Sequence, residues 1–68
     1  MWVFVNGEGR EVQSGSRLLD VLDVAAGQEV PRGVAVALDG TVVPRGRVVD
    51  TALHEGARVE VVTAVQGG

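Results

Sequence analysis

The sequence predicts a small two-layer α+β domain in which one helix covers one face of a mixed β-sheet. Three observations carry that expectation. Segments rich in β-branched and aromatic residues, "MWVFV" at the start and "RVEVVTAV" near the end, read as strands. A single stretch, "SGSRLLDVLDVAAG", switches to the three- and four-residue apolar spacing of a helix. Turn signals at "NGEG" and at Asp39-Gly40 separate the remaining segments, so the order is strand, strand, helix, strand, short strand, strand. One helix can bury one face of one small sheet, which leaves the other face without a covering layer.

In chain order, Met1 to Asn6 is the first strand, "NGEG" turns it back, and Arg10 to Gln13 is its antiparallel partner across a glycine-containing loop of a few residues. Leu18, Leu22 and Ala25, with Leu19 and Ala26, make the apolar stripe of the helix; Ser16 is its candidate N-cap and Gly27 its closing glycine. "QEVPRG" is a loop. "VAVALDGTVV" is a strand, the Asp39-Gly40 turn and a return strand over Thr41 to Val43 that Pro44 stops. "PRGRVVDTALHEGA" is irregular with one short element, and "RVEVVTAV" is the final strand. The 68 residues form one domain with a flexible tail over 66–68, and a domain of this size buries only about 60% of the surface its unfolded chain exposes, so its core must be compact.

Alternation assigns the faces. Met1, Val3 and Val5 share one face of the first strand, and Val59 and Val61 one face of the last; these belong under the helix. Trp2, Phe4, Glu60 and Val62 then point to the open side, which would make Trp2, Phe4 and Val62 an apolar patch for docking a partner. The competing register, displaced by one residue, puts Trp2 and Phe4 in the core instead. Arg45, behind Pro44 in a loop, is either a solvated charge or a further partner contact.

Composition narrows the chemistry. A formal charge of −3 without a basic cluster provides no footprint for nucleic acid and favours a basic partner surface. No apolar run approaches the ~18 residues of a membrane span, and "MWVFVNGEG" lacks the features of a signal peptide, so a cytoplasmic location without membrane attachment is expected. Cysteine is absent, which removes disulfides, thiol catalysis and thiolate metal sites together. Lysine is absent as well, all six basic residues being arginine, so no side-chain amine is available for Schiff-base chemistry or isopeptide acceptance. The single histidine, His54, reads as a solvated turn residue, and the nine carboxylates are scattered without metal-ligand spacing. Neither a bound metal nor a bound cofactor is expected.

The one chemical handle is the ending "AVQGG". A terminal carboxylate is a poor electrophile until another protein activates it, for example by adenylation with ATP. Gly67 and Gly68 carry no side chain and accept φ values closed to other residues, so this end can thread into a narrow cleft with backbone approaching backbone. Val65, Gln66 and Gly67 would be threaded through that passage and Gly68 would carry the reacting carboxylate.

With "VFVNG", "LLDVL", "VAVALDGTVVPR" and "HEGARVEVVTAVQGG" in place, the whole chain resembles the ThiS/MoaD family of sulfur carriers, most closely its thiamine-biosynthesis branch. Ala57 stands where the family often has Asp, and Asp39 where Asn is common. The resemblance implies a ubiquitin-like β-grasp fold and no catalysis by the chain itself. It implies that an E1-like adenylyltransferase of the ThiF type, with its own ATP and metal ion, activates Gly68. A sulfur donor protein then converts the acyl-adenylate to a thiocarboxylate, which a ThiG-type thiazole synthase consumes. Three alternatives stay open: the same carriage for molybdopterin, cysteine or thiosugar metabolism, a ubiquitin-like protein modifier, and a plain interaction module.

Overall fold

The computed structural model describes residues 1–22 and 30–63. Strand β1 (Trp2–Val5) pairs antiparallel with β2 (Glu8–Glu11), and β3 (Val34–Leu38) with β4 (Thr41–Val43). Strand β5 (Arg58–Thr63) lies between the two hairpins, parallel to β1 and antiparallel to β3, which completes a five-stranded sheet of order β2-β1-β5-β3-β4. First and last strands side by side in parallel, flanked by two hairpins, make the β-grasp arrangement that the resemblance implies.

Both hairpins close through two-residue turns of left-handed backbone, Asn6-Gly7 with φ of 50° and 83° and Asp39-Gly40 with φ of 51° and 87°. Such turns match the twist of the strands they join, and Asn, Asp and Gly reach them at the lowest steric cost. The first turn is therefore tighter than the sequence suggests. β2 begins at Glu8 instead of Arg10, because Asn6-Gly7 alone reverses the chain and leaves Glu8 paired with Val5.

The inner face of the sheet carries Val3, Val5, Val36 and Val59, all buried. Leu18, Val21, Val30, Val48 and Leu53 pack against them from the other layer, and no polar side chain is buried among the described residues. At about 1.5–3 kcal/mol for each fully buried Val or Leu, this cluster is the main stabilising term. It contains no aromatic residue, so the register with Val3 and Val5 inside holds and the one-residue shift does not.

The second layer is where sequence and structure diverge. The helix starts one residue later than predicted and is a 3-10 turn over Leu18–Val21, with Arg17 as its N-cap; Leu22 is already extended at φ −96°, ψ 148°. Two contacts from outside hold the turn. The Leu18 N–H, which a Ser16 cap would need, donates to Thr51 O at 2.8 Å. The Val21 carbonyl, which an α-helix would offer four residues on, accepts Arg10 Nη1 at 3.2 Å. Ala25, Ala26 and Gly27, the rest of the predicted helix, lie outside the described residues. The short element expected after Pro44 is a second 3-10 turn, Arg45–Asp50, which buries Val48.

Candidate functional site

Strand pairing sets the composition of the open sheet face. Opposite Trp2 and Phe4 on β1 stand Glu11 and Gly9 on β2; Phe4 also faces Arg58 on β5, while Glu60 and Val62 face Ala37 and Ala35 on β3, and Ala37 faces Val42 on β4. Trp2, Val62 and Val42 are 45%, 60% and 68% exposed. The result is two apolar areas, Trp2 with Phe4 and Val62 with Ala35, Ala37 and Val42, separated by the charged pair of side chains at Arg58 and Glu60.

Each aromatic residue is seated differently. The Trp2 indole lies flat against Gly9, so closely that a Cβ on residue 9 would come within 2.6 Å of its ring. Phe4 is half-buried, with the Arg58 guanidinium 5.6 Å from its ring centroid, a cation–π distance. Phe4, Asn6, Gly7, Arg58 and Glu60 line a shallow depression on this face.

The loop before β5 fixes the edge of the patch. Glu55 Oε1 accepts the Trp2 N–H at 3.0 Å, the Gly56 N–H donates to Trp2 O at 2.7 Å, and the Phe4 N–H donates to Ala57 O at 2.8 Å. His54 anchors the same loop to the β3–β4 turn. Its Nε2 lies 2.6 Å from Asp39 Oδ2 and its Nδ1 2.9 Å from Glu55 O. Both neighbours are acceptors, so the geometry is satisfied in full only by the doubly protonated ring. The hydrogen bond to Asp39, then that to the Glu55 carbonyl, holds the His54 pKa above its ordinary value. The same His54 bond, then the Arg58 N–H at 3.0 Å, holds Asp39 below its own. His54 is exposed, as the sequence suggested, but engaged, and nothing in its spacing from Asp39 announced the pair.

Arg45 has a place inside the fold. Its Nε and Nη2 both donate to the Val30 carbonyl, at 3.0 and 2.5 Å, tying the loop ahead of β3 to the second 3-10 turn. Trp2, Phe4 and Val62 are thus brought onto one face, while Arg45 is directed to Val30 and away from them. Val65, Gln66, Gly67 and Gly68 lie outside the described residues; β5, which leads to them, is described as far as Thr63. Among the described residues no group of three or more His, Cys, Asp or Glu side chains could hold a metal, and no helix is long and apolar enough to cross a membrane.

The model of the ThiS family matches residues 3–68. Among solved structures, the crystal structure of a thiamine biosynthesis protein (ThiS) from Geobacter metallireducens is 27% identical, with a TM-score of 0.75 and 100% of both chains covered. No protein of curated function matches the chain.

Proposed function

The chain belongs to the ThiS family, and from that premise we propose that it is a sulfur carrier of thiamine biosynthesis, a protein cosubstrate and not an enzyme. The observation that carries the reading is the Gly67-Gly68 pair, four residues beyond β5 in the sequence, in a domain whose central strand is β5 and whose uncovered sheet face exposes Trp2 and Val62.

In this reading Gly68 attacks the α-phosphate of ATP through its carboxylate, with pyrophosphate leaving, at the active site of a ThiF-type adenylyltransferase that supplies the nucleotide and its metal ion. Sulfur from a donor protein then adds to the acyl-adenylate and AMP departs, so one oxygen of the carboxylate is replaced by sulfur. The thiocarboxylate is the better nucleophile and passes its sulfur to a ThiG-type thiazole synthase. Val65, Gln66 and Gly67 occupy the entry channel, while Trp2, Phe4 and Val62 meet the partner's surface. A chain without cysteine suits this chemistry, since no internal thiol competes for the activated carbonyl. The domain works at residues 1–68 as one unit in the cytoplasm.

The test is intact mass after incubation with ATP, sulfide and the cognate adenylyltransferase. Replacement of one oxygen by one sulfur is expected, and its loss again on addition of thiazole synthase and its substrates. A mass change that corresponds to conjugation onto another protein would point to a modifier instead, and no change at all would remove the carrier reading.

A further inference from the structure

β5 is held near each end by the first residue of a hairpin turn. At its start, the Asp39 N–H donates to Arg58 O at 2.8 Å and Asp39 Oδ1 accepts the Arg58 N–H at 3.0 Å. Further along, Asn6 serves Val61 with its side chain alone: Oδ1 accepts the Val61 N–H at 2.8 Å and Nδ2 donates to the Val61 carbonyl at 3.4 Å.

The reason lies in the turn. The Asn6 N–H still donates to Val59 O at 2.8 Å, as a parallel ladder requires, and the next bond of that ladder would run from the Val61 N–H to the Asn6 backbone carbonyl. At φ 50° the backbone has already swung away toward Gly7. The side-chain amide supplies both groups that the departed strand would have offered, a donor and an acceptor. Of the residues that tolerate this backbone, aspartate offers only the acceptor and glycine neither. Asn6 is the only asparagine in the chain.

We propose that Asn6 is a positioning residue for sulfur loading: its amide pins Val61, so that the segment leading to Gly68 leaves the domain from a fixed root. This rests on the carrier reading above. On its other side β5 stays paired with β3 as far as Val34↔Thr63, so losing the Asn6 amide leaves the last part of the strand held from one side only. This looser root raises the entropic cost of ordering the tail in the partner's cleft and dilutes the carboxylate at the adenylation centre.

Two variants test it, each with its amide exchange, folding midpoint and single-turnover loading rate measured on the full chain with ATP and saturating adenylyltransferase. Asn6→Gly keeps the left-handed turn and removes the amide. Asn6→Asp keeps the turn and the acceptor but removes the donor, and guards against a glycine variant whose hairpin is lost. For Asn6→Gly, exchange at Val61 should be about tenfold faster, the scale of one lost hydrogen bond, with a saturated loading rate about tenfold lower. Asn6→Asp keeps the acceptor of the Val61 N–H, so exchange there should stay near wild type, with a loading rate between those of glycine and wild type because the bond to the Val61 carbonyl is lost. Unchanged exchange at Val61 in Asn6→Gly overturns the tether. Faster exchange with an unchanged saturated rate makes it purely structural, and a shift only in the half-saturating enzyme concentration makes Asn6 a contact instead. A wild-type chain that takes up no sulfur overturns the carrier reading and the positioning role together, and the wild-type control tells that failure from the others.

Discussion

Two left-handed turn residues show how one side-chain atom redirects a role. Asn6 and Asp39 share the same backbone geometry and both side chains accept an N–H of β5, but the amide also donates to that strand while the carboxylate's second oxygen engages the His54 ring. The His54–Asp39 contact carries a pH signature. A raised His54 pKa adds stability that is fully present below the ordinary value of 6.5 and is lost as pH rises through the higher folded value. A lowered Asp39 pKa adds stability present above the ordinary value of 3.8 and lost as pH falls through the lower folded value. The clasp is therefore strongest between those two ordinary values. The difference in Tm between wild type and His54→Gln should be largest there and shrink toward alkaline pH, by a small amount because the pair is exposed; a constant difference would break the assignment. Phe4 supplies a second check. With its ring half-buried under Arg58, Phe4→Ala should cost about 1 kcal/mol, ~4–8 °C in Tm, while weakening binding to the adenylyltransferase tenfold or more by calorimetry. A loss of ~3–5 kcal/mol, the range for core aromatics, would contradict the open-face position.

At the scale of elements, the neighbours of a segment decide its form. The Leu18, Leu22 spacing is sound helix patterning, yet the described backbone closes three-residue bonds, Asp20 N–H to Arg17 O and Leu22 N–H to Leu19 O, while Thr51 and Arg10 hold its two ends. On the other face, β2 keeps a glycine at position 9 because the indole of Trp2 occupies the space above it. Gly9→Ala should push the ring off β2, and since Trp2 is the only tryptophan, its emission should shift to the red with little change in Tm. An unshifted spectrum would mean the ring does not rest there. Arg45→Lys separates two roles. A lysine keeps the charge but cannot place two donors on one carbonyl, so the variant should lose about 1 kcal/mol of stability, read as a lower Tm. If Arg45 also meets an acidic patch on the adenylyltransferase, Arg45→Lys should preserve the association rate and Arg45→Glu should slow it most at low salt.

For the molecule as a whole, the carrier reading assigns folding and function to separate parts. The core cluster stabilises the domain, while the group proposed to react, the carboxylate of Gly68, follows β5 in the sequence. Deleting Gly68 should leave Tm unchanged and abolish sulfur loading, because the new carboxylate stops one residue, ~3.5 Å, short of the adenylation centre. Gly67→Val should do the same by restricting φ and widening the tail. Intact mass after incubation with the adenylyltransferase checks both, and loading near the wild-type rate in either would mean that the tail is not threaded through a tight channel.

The sequence by itself determined which segments are strands, the Asp39-Gly40 turn and the family, because each of these depends on local chemistry, while the tight Asn6-Gly7 turn, the start of β2 at Glu8 and the choice between the two registers of β1 came from the folded chain. Valine-rich strands with period two and Asn-Gly and Asp-Gly pairs keep their meaning wherever they are found. What only the tertiary structure decided are the contacts between segments remote in the chain. The 3-10 turn is held at its two ends by Thr51 and Arg10, Arg45 turned inward because the Val30 carbonyl lies within its fork, and His54 met Asp39 because β5 brings their loops together. The tether from Asn6 to Val61, 55 residues apart in the chain, exists only because β1 ends beside a strand that continues. Local preference can state that a residue suits a turn, but which distant backbone its side chain then completes is set by the packing of the sheet.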